Sequence, residues 1–275
     1  MTTPSLRQLQ TYLDIATEAA YAAGEVLKHY LGQLDDIEEK GRPGDLVTVA
    51  DKEAEQVVLS VLKRHLPEHS VLAEESGKIE ASNTDYLWAI DPLDGTTNYT
   101  HQYPFFAVSI GLLVHGVPSL GVIYDPSHND LFQAAKGLGA YRNRRPIQVS
   151  NTQTLSQSLL VTGFAYDRHE TSDNNYAEFC HLTHKTQGVR RGGAASIDLA
   201  YVACGRLDGY WERGLSPWDL AAGVVLVEEA GGHVTAYDSS PFQLKTGRIL
   251  ATNGLIHQEL SDTLANIKPL ERFRV

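Results

Sequence analysis

The sequence contains few of the features that mark secreted or membrane-spanning proteins. Only two cysteines, Cys180 and Cys204, occur in 275 residues, and neither belongs to a C-x-x-C motif. Isolated cysteines are typical of reduced thiols in a cytosolic protein rather than of a disulfide framework. No basic stretch followed by an apolar stretch opens the chain, which predicts against secretion. No run of about 18 apolar residues occurs, so we expect no membrane-spanning helix and a cytoplasmic location.

Positively charged residues are also fewer than negatively charged ones. Lysine and arginine number 23 against 34 aspartates and glutamates, which gives a formal net charge of −11. A negative field of this kind disfavours direct binding to nucleic acid or to an anionic membrane. It also repels phosphate esters unless a cation lies at the site, so any phosphate chemistry here would favour a metal.

The chain does contain an ordinary share of hydrophobic residues, 42%. A chain of this length buries roughly 75% of its unfolded surface, so a large core needs no disulfides. We predict a single domain over 1–275 with two closely packed lobes, roughly 1–150 and 151–275. Strands mixed with long helices predict a layered α/β or α+β architecture.

Hydrophobic periodicity and turn residues predict the individual elements. Thr3-Pro4 has the pattern of an N-cap followed by proline at the first helical position, ahead of a helix over about 4–31. Residues 35–45 are polar and rich in glycine and proline, which predicts a mobile loop. Further helices are predicted at about 49–65, 177–185, 194–204 and 217–230. Strands are predicted at about 70–73, 86–90, 158–162, 209–212, 233–237 and 249–252, with an antiparallel meander over 107–114, 116–124 and 131–135.

The segment Asp-Pro-Leu-Asp-Gly-Thr-Thr-Asn-Tyr at 91–99 is the strongest functional signal. It follows the apolar run 86–90, so a strand would deliver Asp91 and Asp94 onto a loop. Gly95 permits close approach of a ligand, and Thr96 stands where a helix with free N–H groups would begin. Two carboxylates beside such donors suit Mg²⁺ held against a phosphate. Taken alone, the pattern is more often a surface turn.

Four further acidic residues, at three places in the chain, also stand at the ends of strands or loops that lead into helices. Glu74 and Glu75 follow an apolar segment, Asp219 follows Ser-Pro-Trp ahead of an apolar helix, and Asp51 stands near the start of another helix. Each alone is explained as a solvated turn or a helix-start acid. Together, Glu74, Asp91, Asp94 and Asp219 would supply the bridging and flanking carboxylates of a two-metal site.

The same segments resemble the inositol monophosphatases, a family of Mg²⁺-dependent, Li⁺-sensitive phosphatases. The resemblance covers nearly the whole chain. The matching motifs are 45–48 with Asp51, 73–76, 88–98, 207–212, 218–223 and 229–232.

This resemblance implies an αβαβα sandwich of mixed and antiparallel sheets, like that of fructose-bisphosphatase, and two to three Mg²⁺ ions. It implies that Glu74, Asp91 and the Leu93 carbonyl hold one ion. Asp91, Asp94 and Asp219 would hold a second, and a weaker third would depend on Glu74 near Lys40.

For catalysis, the resemblance implies that Thr96 and Asp51 orient and help to deprotonate the attacking water, with Glu74 assisting. The N–H groups of Gly95 and Thr96 would face the phosphate. Asp94, Asp219 and Glu212 would contact the substrate, Glu212 through a ring hydroxyl. A homodimer is also implied.

The pair Arg190-Arg191 departs from the animal members of the family. It is consistent with a surface salt bridge, a helix lead-in or a contact to a second substrate phosphate. The resemblance implies that the substrate is a small phosphate monoester, with inositol 1-phosphate first and histidinol phosphate or fructose 1,6-bisphosphate as alternatives. A docking role with the transcription machinery is a further alternative, through protein contacts rather than nucleic acid.

Overall fold

The chain combines helices with runs of consecutive strands, and the computed structural model describes residues 3–34, 37–40, 45–268 and 270. The helices are α1 Leu6–Tyr30, α2 Val49–His65, α3 Thr96–Thr100, α4 Tyr176–Lys185, α5 Ala195–Ala203, α6 Pro217–Glu229 and α7 His257–Ala265. The strands are β1 Ile37–Glu39, β2 Leu46–Thr48, β3 His69–Ala73, β4 Gly77–Ile79, β5 Asn83–Asp94, β6 Ala107–Val114, β7 Val117–Asp125, β8 Asp130–Ala135, β9 Gly139–Arg142, β10 Arg145–Pro146, β11 Leu159–Thr162, β12 Gly188–Arg190, β13 Gly209–Glu212, β14 His233–Thr235 and β15 Ile249–Thr252.

The larger sheet has eight strands within the described residues, in the order β10-β9-β8-β7-β6-β5-β3-β4. Strands β6 to β8 form the predicted antiparallel meander. Strand β5 extends it by pairing antiparallel with β6, whereas β3 pairs with β5 in parallel. Helices α1 and α2 cover one face through a continuous apolar cluster that includes Leu13, Leu27 and Val58. Strand β6 is buried along its whole length because a second helical layer covers the other face.

That second layer consists of α5 and α6, which lie between the larger sheet and a smaller one. Gly111 and Gly121 let α6 approach the sheet closely. A Cβ at Gly121 would lie 2.3 Å from the Ala222 carbonyl oxygen, and one at Gly111 would lie 2.6 Å from the Ala221 Cβ. Side chains at these two positions would therefore push α6 outward and shift the acidic residue at its start.

The smaller sheet has the order β12-β11-β13-β15-β14, and α4 and α7 cover its outer face. The layers therefore run helix, sheet, helix, sheet, helix, which confirms the predicted αβαβα sandwich. The interface of α5 and α6 with both sheets brings the two halves of the chain together. The division into one domain with two lobes stays a prediction.

Two local predictions were wrong. The N-cap of α1 is Ser5 rather than Thr3, because the Ser5 hydroxyl accepts from Gln8 N at 3.3 Å and the Gln8 side chain accepts from Ser5 N at 2.9 Å. The helix therefore begins at Leu6, beyond Pro4. Within the predicted loop 35–45, Ile37–Glu39 instead forms a strand paired with Leu46–Thr48. Residues 35–36 and 41–44 of that prediction lie outside the described residues.

No helix in the described ranges is both long and apolar enough to cross a membrane.

Candidate active site

The segment 91–99 lies at the end of β5, where the pairing with β6 shifts register between Asp91 and Asp94. Leu93 N donates to Asp91 Oδ1 at 2.9 Å and fixes the turn. Gly95 takes a φ of 95° and serves as the N-cap of α3. A Cβ there would lie 3.0 Å from the Phe105 carbonyl oxygen, so a side chain would be both strained and crowded. The predicted start of a helix at Thr96 is confirmed.

Asp94 is held by the first residues of α5, 101 positions later in the chain. Its Oδ1 accepts from Ala195 N at 3.2 Å, and its Oδ2 accepts from Ser196 N at 2.6 Å and from the Ser196 hydroxyl. Donors at a helix N-terminus favour a carboxylate there. The start of α5 therefore fixes the orientation of the Asp94 side chain.

Asp219 reaches the same place from the start of α6. It is the third helical residue, and its Oδ2 accepts from Ser216 N at 2.7 Å in a capping box, with Pro217 at the first helical position. The helix-start interpretation of Asp219 is correct. It is compatible with a site role, since one oxygen caps the helix while the residue lines the cavity described below.

A cavity of about 640 Å³ joins these residues, within the range usual for small-molecule sites. Eight of the predicted site residues line it, namely Glu74, Asp91, Leu93, Asp94, Gly95, Thr96, Glu212 and Asp219. Asp51 does not line the cavity and lies behind Thr96.

Asp91 and Asp94 are buried and Asp219 is half-buried, and none of the three carboxylates has a lysine or arginine within 4 Å in the described ranges. Burial, and then repulsion by Glu74 and Asp94, raises the pKa of Asp91 well above its ordinary value. Burial, and then repulsion by Asp94 and Glu74, does the same to the pKa of Asp219. Buried acids that repel one another need either protons or a cation.

As the side chains stand, no three acidic, histidine or cysteine side chains of the described part of the chain are grouped closely enough to hold one ion. The donor set nevertheless fits hard divalent cations, because it consists of carboxylate oxygens and a backbone carbonyl in one cavity. The mutual repulsion of the buried acids is the feature that a bound cation would remove.

Lys40 supplies positive charge at one side of the cavity. Its Nζ lies 2.8 Å from Glu74 Oε1 and also contacts Glu75. Burial opposes its charged form, but the two carboxylates outweigh that effect and raise its pKa. The pKa of Glu75 is nevertheless raised to about 7, because burial and the neighbouring charges of Glu74 and Asp51 outweigh the contact with Lys40.

Thr96 and Asp51 form the predicted pair. Thr96 Oγ1 lies 3.1 Å from Asp51 Oδ1 and 3.1 Å from the Leu93 carbonyl oxygen. Asp51 is fully buried, and its Oδ2 accepts from Thr48 N at 2.8 Å and from the Thr48 hydroxyl at 2.6 Å. Burial raises the pKa of Asp51 to about 6, although the bonds from Thr48 oppose the shift. A carboxylate with such a pKa can take a proton near neutral pH.

Glu212 ends β13 on the side of the cavity formed by the smaller sheet. Tyr210 Oη donates to its Oε2 at 2.5 Å, and burial raises its pKa to about 7. A Cβ at Gly163 would lie 2.2 Å from the Glu212 carboxylate, so the glycine makes room for it. Glu212 is only 8% exposed, so it does not form a salt bridge on the surface.

Two acids, one behind the cavity and one lining it, were not singled out from the sequence. Glu55, on the buried side of α2, accepts from Glu75 N at 2.8 Å and contacts Ser76, which fixes the turn that carries Glu74. Asp198 lines the cavity beside Glu212, and its Oδ1 is buried without a partner. Glu55 and Asp198 could have been noticed in the sequence, because each is an acid on the apolar face of a predicted helix.

The paired arginines separate in the structure. Arg191 lines the main cavity and also a second one of about 340 Å³, whereas Arg190 lines only the second. Both cysteines are free thiols, with Cys180 exposed and Cys204 half-buried.

Comparison with known proteins gives a consistent result. A model of the inositol monophosphatase family matches residues 8–268. An inositol-1-monophosphatase of Synechocystis is 63% identical over 257 residues, which cover 94% of this chain and 90% of that protein. The Nus factor SuhB of Pseudomonas aeruginosa is 43% identical, over 93% of this chain and 96% of its own. The solved inositol monophosphatase of Anabaena has a TM-score of 0.89 and 67% identity, covering 96% of this chain and 98% of that one.

Proposed function

We propose that this chain, which belongs to the inositol monophosphatase family of metal-dependent phosphoric monoester hydrolases, hydrolyses inositol 1-phosphate to myo-inositol and phosphate with Mg²⁺. The observation that carries the proposal is the convergence in one cavity of the buried acids Asp91 and Asp94 from β5 with the half-buried Asp219 from α6 and with Glu74.

Glu74, Asp91 and the Leu93 carbonyl would hold one Mg²⁺, and Asp91, Asp94 and Asp219 a second. When bound, the ions lower the pKa of a water molecule and neutralise charge on the phosphate. The chain's contribution is to fix the ligands in place. Asp94 is fixed by α5, Asp219 by its own capping box, and Asp91 by Leu93 N.

The N–H groups of Gly95 and Thr96 face the phosphate in this proposal. Gly95 is suited to that role because its left-handed conformation and missing side chain leave the backbone open to a ligand. The Thr96 hydroxyl orients the attacking water, and Asp51 accepts a proton through Thr96. Asp51 is suited to this because its pKa is raised to about 6, chiefly by burial.

Glu212 would recognise the ring of the substrate. It lies in the same cavity as the metal ligands but comes from the smaller sheet, and Tyr210 fixes one of its oxygens. Its second oxygen can accept from a ring hydroxyl, which favours a polyol monophosphate over a simple phosphate ester. Asp94 and Asp219 would contact substrate oxygens beside the ions.

The experiment that tests the substrate is a panel of phosphate-release assays with Mg²⁺. Inositol 1-phosphate, histidinol phosphate and fructose 1,6-bisphosphate are compared by kcat/KM on one preparation. We expect inositol 1-phosphate to be preferred. A higher value for either alternative would transfer the proposal to that substrate, without affecting membership in the family.

A second candidate function rests on the relatives called Nus factor SuhB, which are 39–43% identical over at least 90% of this chain. We propose as this second function that the chain docks on the transcription machinery. Lysate pull-downs test it, with the wild type and Asp91→Asn as baits to separate docking from hydrolysis. Enrichment of RNA polymerase or its factors by both forms would support docking, and its absence would leave the enzymatic function alone.

Lithium sensitivity, a third ion beside Glu74 and Lys40, a homodimer and a cytoplasmic location are parts of the same proposal that rest on the family resemblance.

A further inference from the structure

One wall of the cavity is an irregular stretch between β11, which ends at Thr162, and α4, which begins at Tyr176. Phe164, Tyr166 and Arg168 of this stretch line the cavity, and a short 3₁₀ turn spans Tyr166–His169. We call residues 164–169 the wall segment. A loop of this kind needs ties to the rest of the fold if it is to present a constant surface to a ligand.

Asn175 anchors the far end of the stretch. Its amide donates to the Thr162 hydroxyl at 2.7 Å and to the Gly163 carbonyl oxygen at 2.7 Å, and its oxygen accepts from Trp211 Nε1 at 2.6 Å. The two ends of the stretch are thus tied to each other and to β13. The wall segment lies between these ends.

Arg213 ties the middle of the stretch. It directly follows Glu212, and its guanidinium forms a fork with Asp167 of the wall segment, Nη2 to Oδ1 at 2.7 Å and Nη1 to Oδ2 at 3.3 Å. Its side chain is only 11% exposed, so this pair is less screened by water than a surface salt bridge. Its Nε lies 3.6 Å from Asp173 Oδ1, farther along the same stretch.

The backbone after Glu212 also lies directly against the backbone of the wall segment. Gly214 has a φ of +76°, and a Cβ there would lie 2.6 Å from the Ala165 Cβ. The absence of a side chain at Gly214 therefore lets the wall segment pack directly against the residues that follow Glu212. Arg213 and Gly214 together place the wall segment beside the carboxylate that faces the substrate ring.

We propose that Arg213 is a positioning residue that holds the wall segment against the end of β13 and thereby sets the affinity for the ring of a polyol monophosphate. Arg213 touches no reacting atom and acts through Asp167. The inference rests on the proposed function, since it assigns the ring to the space between Glu212 and the wall segment.

The test compares Arg213→Met with Arg248→Met. Arg248 is a matched control because it also pairs with Asp173, but it leaves the fork between Arg213 and Asp167 intact. With inositol 1-phosphate and Mg²⁺, we expect Arg213→Met to raise KM roughly five- to twentyfold while kcat changes by less than about threefold. Arg248→Met should change KM by less than about twofold.

Asp167→Asn provides a milder variant, since Asp167 is half-exposed and its loss leaves no large cavity. It should raise KM, as Arg213→Met does, and the KM of the double variant should not exceed that of Arg213→Met alone. Arg213→Lys, which keeps the charge but not the fork, should recover part of the affinity.

Hydrogen exchange of the substrate-free protein gives a readout independent of turnover. Amides of 164–169 should exchange faster in Arg213→Met and Asp167→Asn than in the wild type and Arg248→Met. Equal KM values in the Arg213 and Arg248 variants, or a raised KM with unchanged exchange in 164–169, would overturn the proposal. If the wild type itself releases no phosphate from inositol 1-phosphate, the proposed substrate fails and the ring assignment fails with it, whatever the exchange data show.

Discussion

Replacing Asp219 by asparagine should stabilise the metal-free protein while abolishing its activity. Asp219 is half-buried in the cavity near Asp94 and Glu74, and no lysine or arginine side chain lies within 4 Å of it in the described ranges. Asparagine has the same shape and keeps an oxygen that can accept from Ser216 N, now 2.7 Å from Asp219 Oδ2. The change therefore removes the charge but preserves the cap of α6.

The sign follows from the pKa of Asp219, which is raised well above its ordinary value chiefly by burial and then by Asp94. A raised folded-state pKa contributes stability that is present below about pH 4 and lost as pH rises through the folded value. The metal-free wild type should therefore lose stability from acidic to neutral pH. A buried, uncompensated charge costs several kcal/mol, part of which proton uptake relieves, so we expect Asp219→Asn to gain about 1–3 kcal/mol at pH 8.

The assay is thermal unfolding of chelator-treated protein at pH 5 and pH 8, repeated with saturating Mg²⁺. A gain of about 1–3 kcal/mol corresponds to a Tm increase of roughly 2–10 °C for a chain of this size. Mg²⁺ should raise the Tm of the wild type more than that of Asp219→Asn. Asp262→Asn, on the exposed side of α7, is the control and should change stability by less than about 0.5 kcal/mol. A lower Tm for Asp219→Asn than for the wild type, in metal-free protein at pH 8, would refute the reasoning.

Three further predictions concern the reaction. Thr96→Ala should lower kcat with little change in KM, whereas Thr96→Ser should keep much of the rate because the hydroxyl remains. Equal turnover of the wild type and Thr96→Ala would show that Thr96 has only a structural role. Glu212→Gln should lower kcat/KM for inositol 1-phosphate roughly ten- to a hundredfold and barely affect p-nitrophenyl phosphate, and equal losses on both would point to a structural role. Because the pKa of Asp51 is raised to about 6 and Asp51 must be ionised to accept a proton, kcat/KM should fall as pH falls through that value. Asp51→Asn should remove this acidic limb, and a limb that persists in the variant would assign it to another group.

Elements with strong periodicity were predictable from the sequence. Helix α2 begins at Val49 and β13 spans Gly209–Glu212, as the pattern of apolar residues indicates. The start of α1 was not predictable in the same way, because Thr3-Pro4 and Ser5 are both reasonable caps. The choice between them depends on Gln8, three residues after Ser5. The strand Ile37–Glu39 is exposed along its length and therefore carries no alternation of apolar and polar residues.

The site shows the same division between local pattern and long-range contact. Sequence motifs identified Glu74, Asp91, Asp94 and Asp219, because each follows a strand or opens a helix, but they missed Asp198. They did not show that Asp94 is held by the start of α5, or that Asp51 reaches the cavity only through Thr96. Contacts such as that of Arg213 with Asp167 join residues 46 positions apart and depend on the packing of the smaller sheet, which no local pattern specifies.

The central claim is Mg²⁺-dependent hydrolysis of inositol 1-phosphate at the Asp91 cluster. The most direct measurement is phosphate release from inositol 1-phosphate by chelator-treated protein, before and after addition of saturating Mg²⁺, for the wild type and Asp91→Asn. We predict release by the wild type only after Mg²⁺ is added, and a rate below about a tenth of wild type for Asp91→Asn, because both proposed ions depend on this carboxylate. Release without a divalent cation, or a rate above that fraction in Asp91→Asn, would contradict the account.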